Sequence, residues 1–379
     1  MSLNTNNKTT ERLYFLDSMR GILILLIVLL HVLQTYNPKQ TWVIYTEKGI
    51  DFIPYIIDAI MLFVLPSFFI MSGYLAVMSI SKMGVDKFFE SKIKRILIPI
   101  FMIAITFNSL QAYLLVKNGW MEFNLWDYLS TGQWISHLWF LIDLAIFLFL
   151  LYLVVKFFKV NVNKLLSVIY NITDKTNVYF LLFLISILTV VLLAVYSALS
   201  PYIHNPIIGF RSLAFYLPFF ILGGVLYKNK NIFNTFLNLN PYIVIILFFT
   251  ALVFSQYLLD FEGLFYRLLY YFFDTLTYIY ASTLCFYLFY RYVNVQTKFF
   301  KLLSNASYSI YLMHHMIVIG LGLIIIKFNI FGITSLVILF FLVIFLSFFI
   351  DYFIIQKVPI LTFLLNGKPI KKIMKKEDN

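Results

Sequence analysis

Uninterrupted apolar runs of about twenty residues recur along this chain and constrain its fold more than any other feature. Residues 178–199 carry no Asp, Glu, Lys or Arg over their whole length. At 1.5 Å of rise per residue, such a run spans the hydrocarbon thickness of a bilayer. Inside lipid no water satisfies the backbone, so only helices or closed barrels can cross. Barrel strands would alternate polar and apolar residues over about ten positions, and these runs do not. The expected fold class is therefore all-α, a polytopic membrane protein with about ten transmembrane helices. The spans are read at about 13–36, 54–80, 93–116, 138–158, 177–199, 211–228, 241–259, 268–291, 306–326 and 331–353. Turn dipeptides such as Asn37-Pro38, Asn118-Gly119 and Asn240-Pro241 punctuate them. No loop is long enough for an appended soluble domain. One domain over residues 1–379 is expected, with a helical core of about 13–353 and a basic tail, 354–379.

Of the 379 residues, 62% are hydrophobic and 12% charged, a balance that excludes an ordinary soluble domain. The net charge of +12 raises the question of a nucleic-acid partner. Its distribution answers it: with the N-terminus cytoplasmic, 22 Lys and Arg fall on the inner side and 6 on the outer. Both termini are expected to be cytoplasmic, the basic charge being topology with attraction to anionic lipid as a side effect. No nucleic-acid partner follows. The first ten residues are polar, so the first span is expected to serve as its own targeting signal. The lone Cys285 leaves no disulfide framework and no cysteine metal site. Absence of Gly-x-Ser-x-Gly, a Walker A loop and His-Glu-x-x-His disfavours hydrolase, ATPase and zinc chemistry, and no metal is expected.

Within the apolar spans, ionisable residues stand out because each is costly in lipid and tends to face a cavity or a partner. The first span carries Asp17, Arg20 and His31. Arg20 and His31 lie nearly three helical turns apart, roughly 16 Å along the axis, on one face. His137 enters the fourth span between Trp134 and Trp139, an arrangement that also suits an interfacial aromatic belt. His314 and His315 lie near the middle of the ninth span, with Tyr308 and Tyr311 on neighbouring faces. Adjacent helical residues point about 100° apart, so one of this pair at most is expected to face the cavity of His31. Hydrogen-bonded packing competes with chemistry as the role of each imidazole. Asp17, Asp58, Asp143 and Asp274 are the carboxylates in or near the spans. Asp143 or Asp274 could orient a catalytic imidazole, as a carboxylate does in a triad, and the sequence does not pair them.

Lys92, Lys94 and Arg95 open the third span at a depth similar to Arg20. Alone they read as a positive-inside flank; with Arg20 they form a shelf for a phosphate-bearing ligand, Arg offering a planar fork and Lys a point charge. In the second span, Pro66 interrupts the helical ladder, and Ser72-Gly73 before Tyr74 admits a neighbouring backbone or, as a cavity wall, a thioester arm. A basic inner end and an imidazole centre are the polarity that a nucleotide-linked acyl donor bound from the cytoplasm requires.

These residues resemble the acyltransferase 3 family of integral-membrane acyltransferases. Arg20 and His31 match its Arg-x10-His motif, and Lys92-x-x-Arg95 is similar to its Arg-x-x-Arg pair, with Lys in place of the first Arg. Six blocks in order carry a closer resemblance to members that succinylate osmoregulated periplasmic glucans: residues 15–20, 68–74, 135–141, 215–223, 305–315 and 358–369. The resemblance implies an O-acyltransferase in the bacterial inner membrane, with no permanently bound cofactor. It implies acyl-CoA, succinyl-CoA first, as donor substrate and a glucan or other polysaccharide as acceptor. Proteins of glucan synthesis are possible partners. On this reading His31 is the base or the acyl carrier, with Asp17, His137, His315 and Asp274 as further catalytic candidates. Arg20, Lys92, Lys94, Arg95, Ser72 and Tyr74 would hold the donor, and Trp139, Tyr308 and His314 the acceptor. The rival readings are a transporter or flippase for a polysaccharide or lipid-linked sugar, and a non-enzymatic subunit of a glucan synthase.

Overall fold

A computed structural model describes residues 13–157, 177–203, 205–295 and 297–367. Every regular element among them is helical. Helix α1 spans Tyr14–Thr35, α2 Ile53–Met61, α3 Val64–Met83 and α4 Val85–Ile103. A π-helical segment, Ala104–Asn108, joins α4 to α5, Ser109–Lys117. Then come α6, Leu125–Ser130; a single 3-10 turn, Ser136–Leu138; and α7, Trp139–Phe157. Helices α8, Val178–Leu199, and α9, Phe210–Lys228, are followed by the short α10, Lys230–Leu237. Helices α11, Pro241–Leu258, α12, Leu264–Tyr292, and α13, Lys298–Lys327, precede α14, Ile333–Phe349. A second π segment, Ile350–Ile355, leads to α15, Pro359–Asn366.

Nine stretches of helix among the described residues are long and apolar enough to cross a membrane. The sequence reading placed a tenth at 268–291. That segment is helical, within α12, but it is not one of the nine. Asp274, Arg291 and a run of tyrosines lower its mean hydropathy. It packs along α11 and α8. Lys8, Arg12, Lys159, Lys164, Lys175 and the lysines from Lys368 onward, all counted in the inner-side charge, lie outside the described residues, as does the tail beyond residue 367.

Local chemistry sets the helix starts. Asn240 accepts from the Tyr242 and Ile243 amides ahead of Pro241, which has no amide hydrogen to leave unsatisfied, and Thr297 accepts from the Phe300 amide. The closest helix pair is α3 with α9. A Cβ added at Gly73 would collide with the Phe220 carbonyl, and one at Gly223 with the Ile70 carbonyl. The two glycines thus let two backbones touch, which is how helices associate where lipid supplies no hydrophobic drive. Helix α1 packs along α13, and these two form the spine of the site. At the end of α15, Gly367 adopts φ 59° and lies against the backbone of Arg95. Ser309 donates to Asn366 at 2.9 Å, fastening α15 to α13 beside the same place.

Candidate active site

Four imidazoles from three parts of the chain meet in one cluster. His31 on α1 lies 4.9 Å from His315 and 5.2 Å from His314, ring centre to ring centre. His137, on the 3-10 turn before α7, stacks on His315 at 4.8 Å with the planes 13° apart, and lies 5.3 Å from His314. Both neighbours on α13 therefore reach His31, where the sequence reading allowed one. The His31 ring sits over the ridge between them, so their 100° divergence brackets it instead of turning one away.

Hydrogen bonds define what these rings present. His314 Nδ1 lies 2.7 Å from the Tyr311 carbonyl and 3.1 Å from the Ile310 carbonyl. Carbonyls only accept, so Nδ1 carries the hydrogen, and the neutral ring is left with Nε2 as an acceptor. That Nε2 is buried with no hydrogen-bond partner among the described residues, as are His31 Nδ1 and both nitrogens of His137. His315 Nδ1 lies 2.8 Å from Gln111 Oε1 and 3.3 Å from Ser136 Oγ. No hydrogen bond joins any of the four rings to a carboxylate among the described residues.

The turn that carries His137 is tied down at several points. Asn108, closing the π segment, donates to the Trp134 carbonyl at 2.8 Å and the Ile135 carbonyl at 3.2 Å. Tyr311 donates to the His137 carbonyl at 2.6 Å. Between them Ser136 takes φ 51°, a left-handed conformation that costs a non-glycine residue on the order of 1 kcal/mol. Trp42 stacks on the His31 ring at 5.7 Å and meets His315 edge-on at 5.3 Å.

A cavity of about 330 Å³ leads toward this cluster. Arg20, Lys92 and Arg95 line it together with Ser72, while Phe140 and Tyr311 bound it beside the imidazoles. Two helices form its rails. On α1 the lining residues are Arg20, Ile24 and Ile27, with His31 one turn further along. On α13 they are Ser304, Asn305, Ser307, Tyr308 and Tyr311, with His315 one turn further along. At the base the rails are bonded, Arg20 donating to Ser304 Oγ at 2.7 Å, and at the top their imidazoles touch. Each rail covers eleven positions, roughly 16 Å.

The remaining sequence candidates divide between this site and its surroundings. Asp17 pairs with Arg20 at 2.5 Å, at the basic end and not at an imidazole. Tyr308 lines the cavity and donates to the Arg95 carbonyl at 2.8 Å. Lys92 lies 5.9 Å above the Phe88 ring, and neither Lys92 nor Arg95 has an ion pair among the described residues. Lys94 is exposed, bonded to Glu90 at 2.7 Å, and does not line the cavity. Tyr74 packs against Tyr227 and Phe233, and Trp139 against Tyr216 at 6.2 Å, both away from the cavity lining. Asp274 lies within electrostatic reach of Arg211 and Tyr216. Asp143 accepts from Ser212 at 2.6 Å. Gln111, Asn108 and Trp42 were not singled out from sequence; a buried amide inside an apolar span was the available signal for the first two.

An acyltransferase domain, that of the acyltransferase 3 family, matches residues 13–352. Glucans biosynthesis protein C from Escherichia coli strain SMS-3-5 is 27% identical over 393 aligned positions, covering 97% of both chains. The proteins of that name from E. coli O1:K1 and from strain K12 match to the same extent. No solved structure matches the chain. With almost its whole length matched, this chain belongs to the acyltransferase 3 family.

Proposed function

We propose that the protein moves an acyl group from cytoplasmic acyl-CoA to a hydroxyl of an extracytoplasmic polysaccharide. The observation that carries this reading is the pair of parallel rails, cationic at one end and imidazole at the other, flanking one cavity. Phosphates of the donor sit against Lys92, Arg95 and Arg20, which line one end of the cavity together. The thioester arm runs along the apolar middle of the cavity, past Ile24 and Ile27, and brings its carbonyl to the imidazoles. Ten crossings with both termini inside would put the cationic end on the cytoplasmic side.

At the imidazoles an acceptor hydroxyl gives its proton to the free nitrogen of His31 as its oxygen attacks the thioester carbon. The C–O bond forms, the C–S bond breaks, and the leaving thiolate takes the proton back from the imidazolium. Products are an ester and the free thiol. If the imidazole itself first accepts the acyl group, labelled protein accumulates when acceptor is withheld. The relatives' name supports a glucan as the acceptor, and the resemblance of the six sequence blocks makes succinyl the first acyl group to try.

Purified protein in bilayers is incubated with succinyl-CoA and other acyl-CoAs, with and without glucan. The reading expects thiol release that depends on acceptor and a matching mass increment on the glucan. Transport of glucan with no consumption of any acyl-CoA would overturn it in favour of an exporter.

A further inference from the structure

From the hydrogen bonds around His315, we infer that Gln111 is a positioning residue that fixes this imidazole as its Nδ1–H tautomer and keeps Nε2 free to accept a proton. The inference rests on the acyl-transfer reading for its kinetic consequence, but its structural content stands apart from it. Gln111 is buried on α5, in the later part of the long helical stretch Val85–Lys117. Its Oε1 faces His315 Nδ1 at 2.8 Å, and its amide nitrogen donates to Ser136 Oγ at 3.4 Å. An amide oxygen only accepts, so this contact requires the hydrogen on Nδ1. In this arrangement the amide turns its oxygen to His315 and its NH2 to Ser136, whose hydroxyl oxygen accepts.

The same tautomer is imposed on His314 by two backbone carbonyls. Two adjacent imidazoles are thus held alike by unlike means, one by its own helix and one by a side chain from across the site. A carboxylate in the position of Gln111 would favour the imidazolium; a neutral amide orients the ring without charging it. Around His315 stand His31 from α1, His137 from the turn before α7, His314 on its own helix and the uncharged Trp42. None brings a negative charge, so any cation formed there is unwelcome until a proton is delivered by the reaction. Ser136, held in a left-handed conformation, supplies the second point of the bracket and carries His137 on the next residue.

The chain has five histidines, few enough for each ring to be followed in protein labelled with 15N at histidine. In bilayers, wild-type His315, assigned by loss of its signals in His315→Asn, is expected as the Nδ1–H form, and Gln111→Met as a mixture or the Nε2–H form. In turnover, Gln111→Met is expected to lower kcat by up to roughly 10²-fold, because His315 no longer turns an acceptor nitrogen toward the base His31, with KM for acyl-CoA unchanged. Gln111→Glu is expected to recover part of that rate with the acid limb of its pH profile moved up by about one unit or more. An unchanged tautomer in Gln111→Met, or a Gln111→Glu profile that coincides with wild type, overturns the assignment. Normal tautomer signals in a wild-type protein that consumes no acyl-CoA would leave Gln111 as assigned and refute the acyl-transfer reading instead.

Discussion

Removing the Arg95 guanidinium tests whether the cationic end of the cavity binds the donor or merely marks the inner face of the membrane. A charge-assisted hydrogen bond contributes about 1.5–3 kcal/mol. Arg95 is exposed on α4, so solvent screening argues for the low end, about tenfold in Kd at 1.4 kcal/mol per decade. Lys92 is more enclosed, between Phe88 and the cavity, and its loss is expected to match or exceed that. Because both act on the same phosphates, the double variant Lys92→Ala/Arg95→Ala need not show the simple product of the two effects. Lys94→Ala is the internal control: its partner is Glu90, outside the cavity, and coenzyme A affinity is expected to stay at the wild-type value. Calorimetry with coenzyme A and purified protein reads all four. Raising salt to 1 M, where the Debye length is about 3 Å, is expected to narrow the difference between wild type and variants. Equal affinity in wild type and the double variant would refute the reasoning, and so would an effect of Lys94→Ala as large as that of Arg95→Ala.

Three further variants probe how the scaffold holds the site. Gly223→Ala forces a methyl into the Ile70 carbonyl, and overpacking of this kind costs about 1–3 kcal/mol, so a clear drop in the thermal midpoint in detergent is expected. Gly367→Val combines a β-branched residue at φ 59° with a collision at the Arg95 backbone. It is expected to weaken coenzyme A binding, since the collision displaces the backbone of Arg95 at the cavity. Asn108→Leu removes both amide bonds to the turn before His137, and kcat is expected to fall with KM for acyl-CoA preserved. A variant that bound donor poorly instead would separate that turn from the chemistry.

The rails were legible early because a helix repeats. Arg20 and His31 share a face by spacing alone, and the contact of Asp17 with Arg20 is the ordinary i, i+3 pair of that same face. By the same rule Glu90 and Lys94, four apart, are natural partners, while Lys92 and Arg95, three apart, point together. Treating all three cations as one shelf passed over that phase. The apolar runs located the helices, and α12 is where the rule weakens, since tyrosines and charges blur the signal.

The convergence of four histidines had no local trace. His137 and His315 are 178 positions apart, and the packing of α13 on α5, the bond from Gln111 to Ser136 and that from Tyr311 to the His137 carbonyl bring them together. The search for a carboxylate partner, natural for an imidazole base, pointed at Asp17, Asp143 and Asp274. The hydrogen-bond partners of His315 are instead an amide oxygen and a hydroxyl, groups that carry no charge to mark them. Trp42 sits in a connecting loop held by the bonds from Thr46 to Thr35 and from Ile50 to Tyr36, a contact that no periodicity announces.

Thiol release from acyl-CoA by His31→Ala tests the central claim most directly. The account predicts a loss of about 10²-fold or more in kcat. Coenzyme A affinity should remain within error of wild type, because His31 stands nearly three turns along α1 from Arg20, at the far end from the residues that meet the donor phosphates. Wild-type turnover in that variant, with the protein intact, would contradict it.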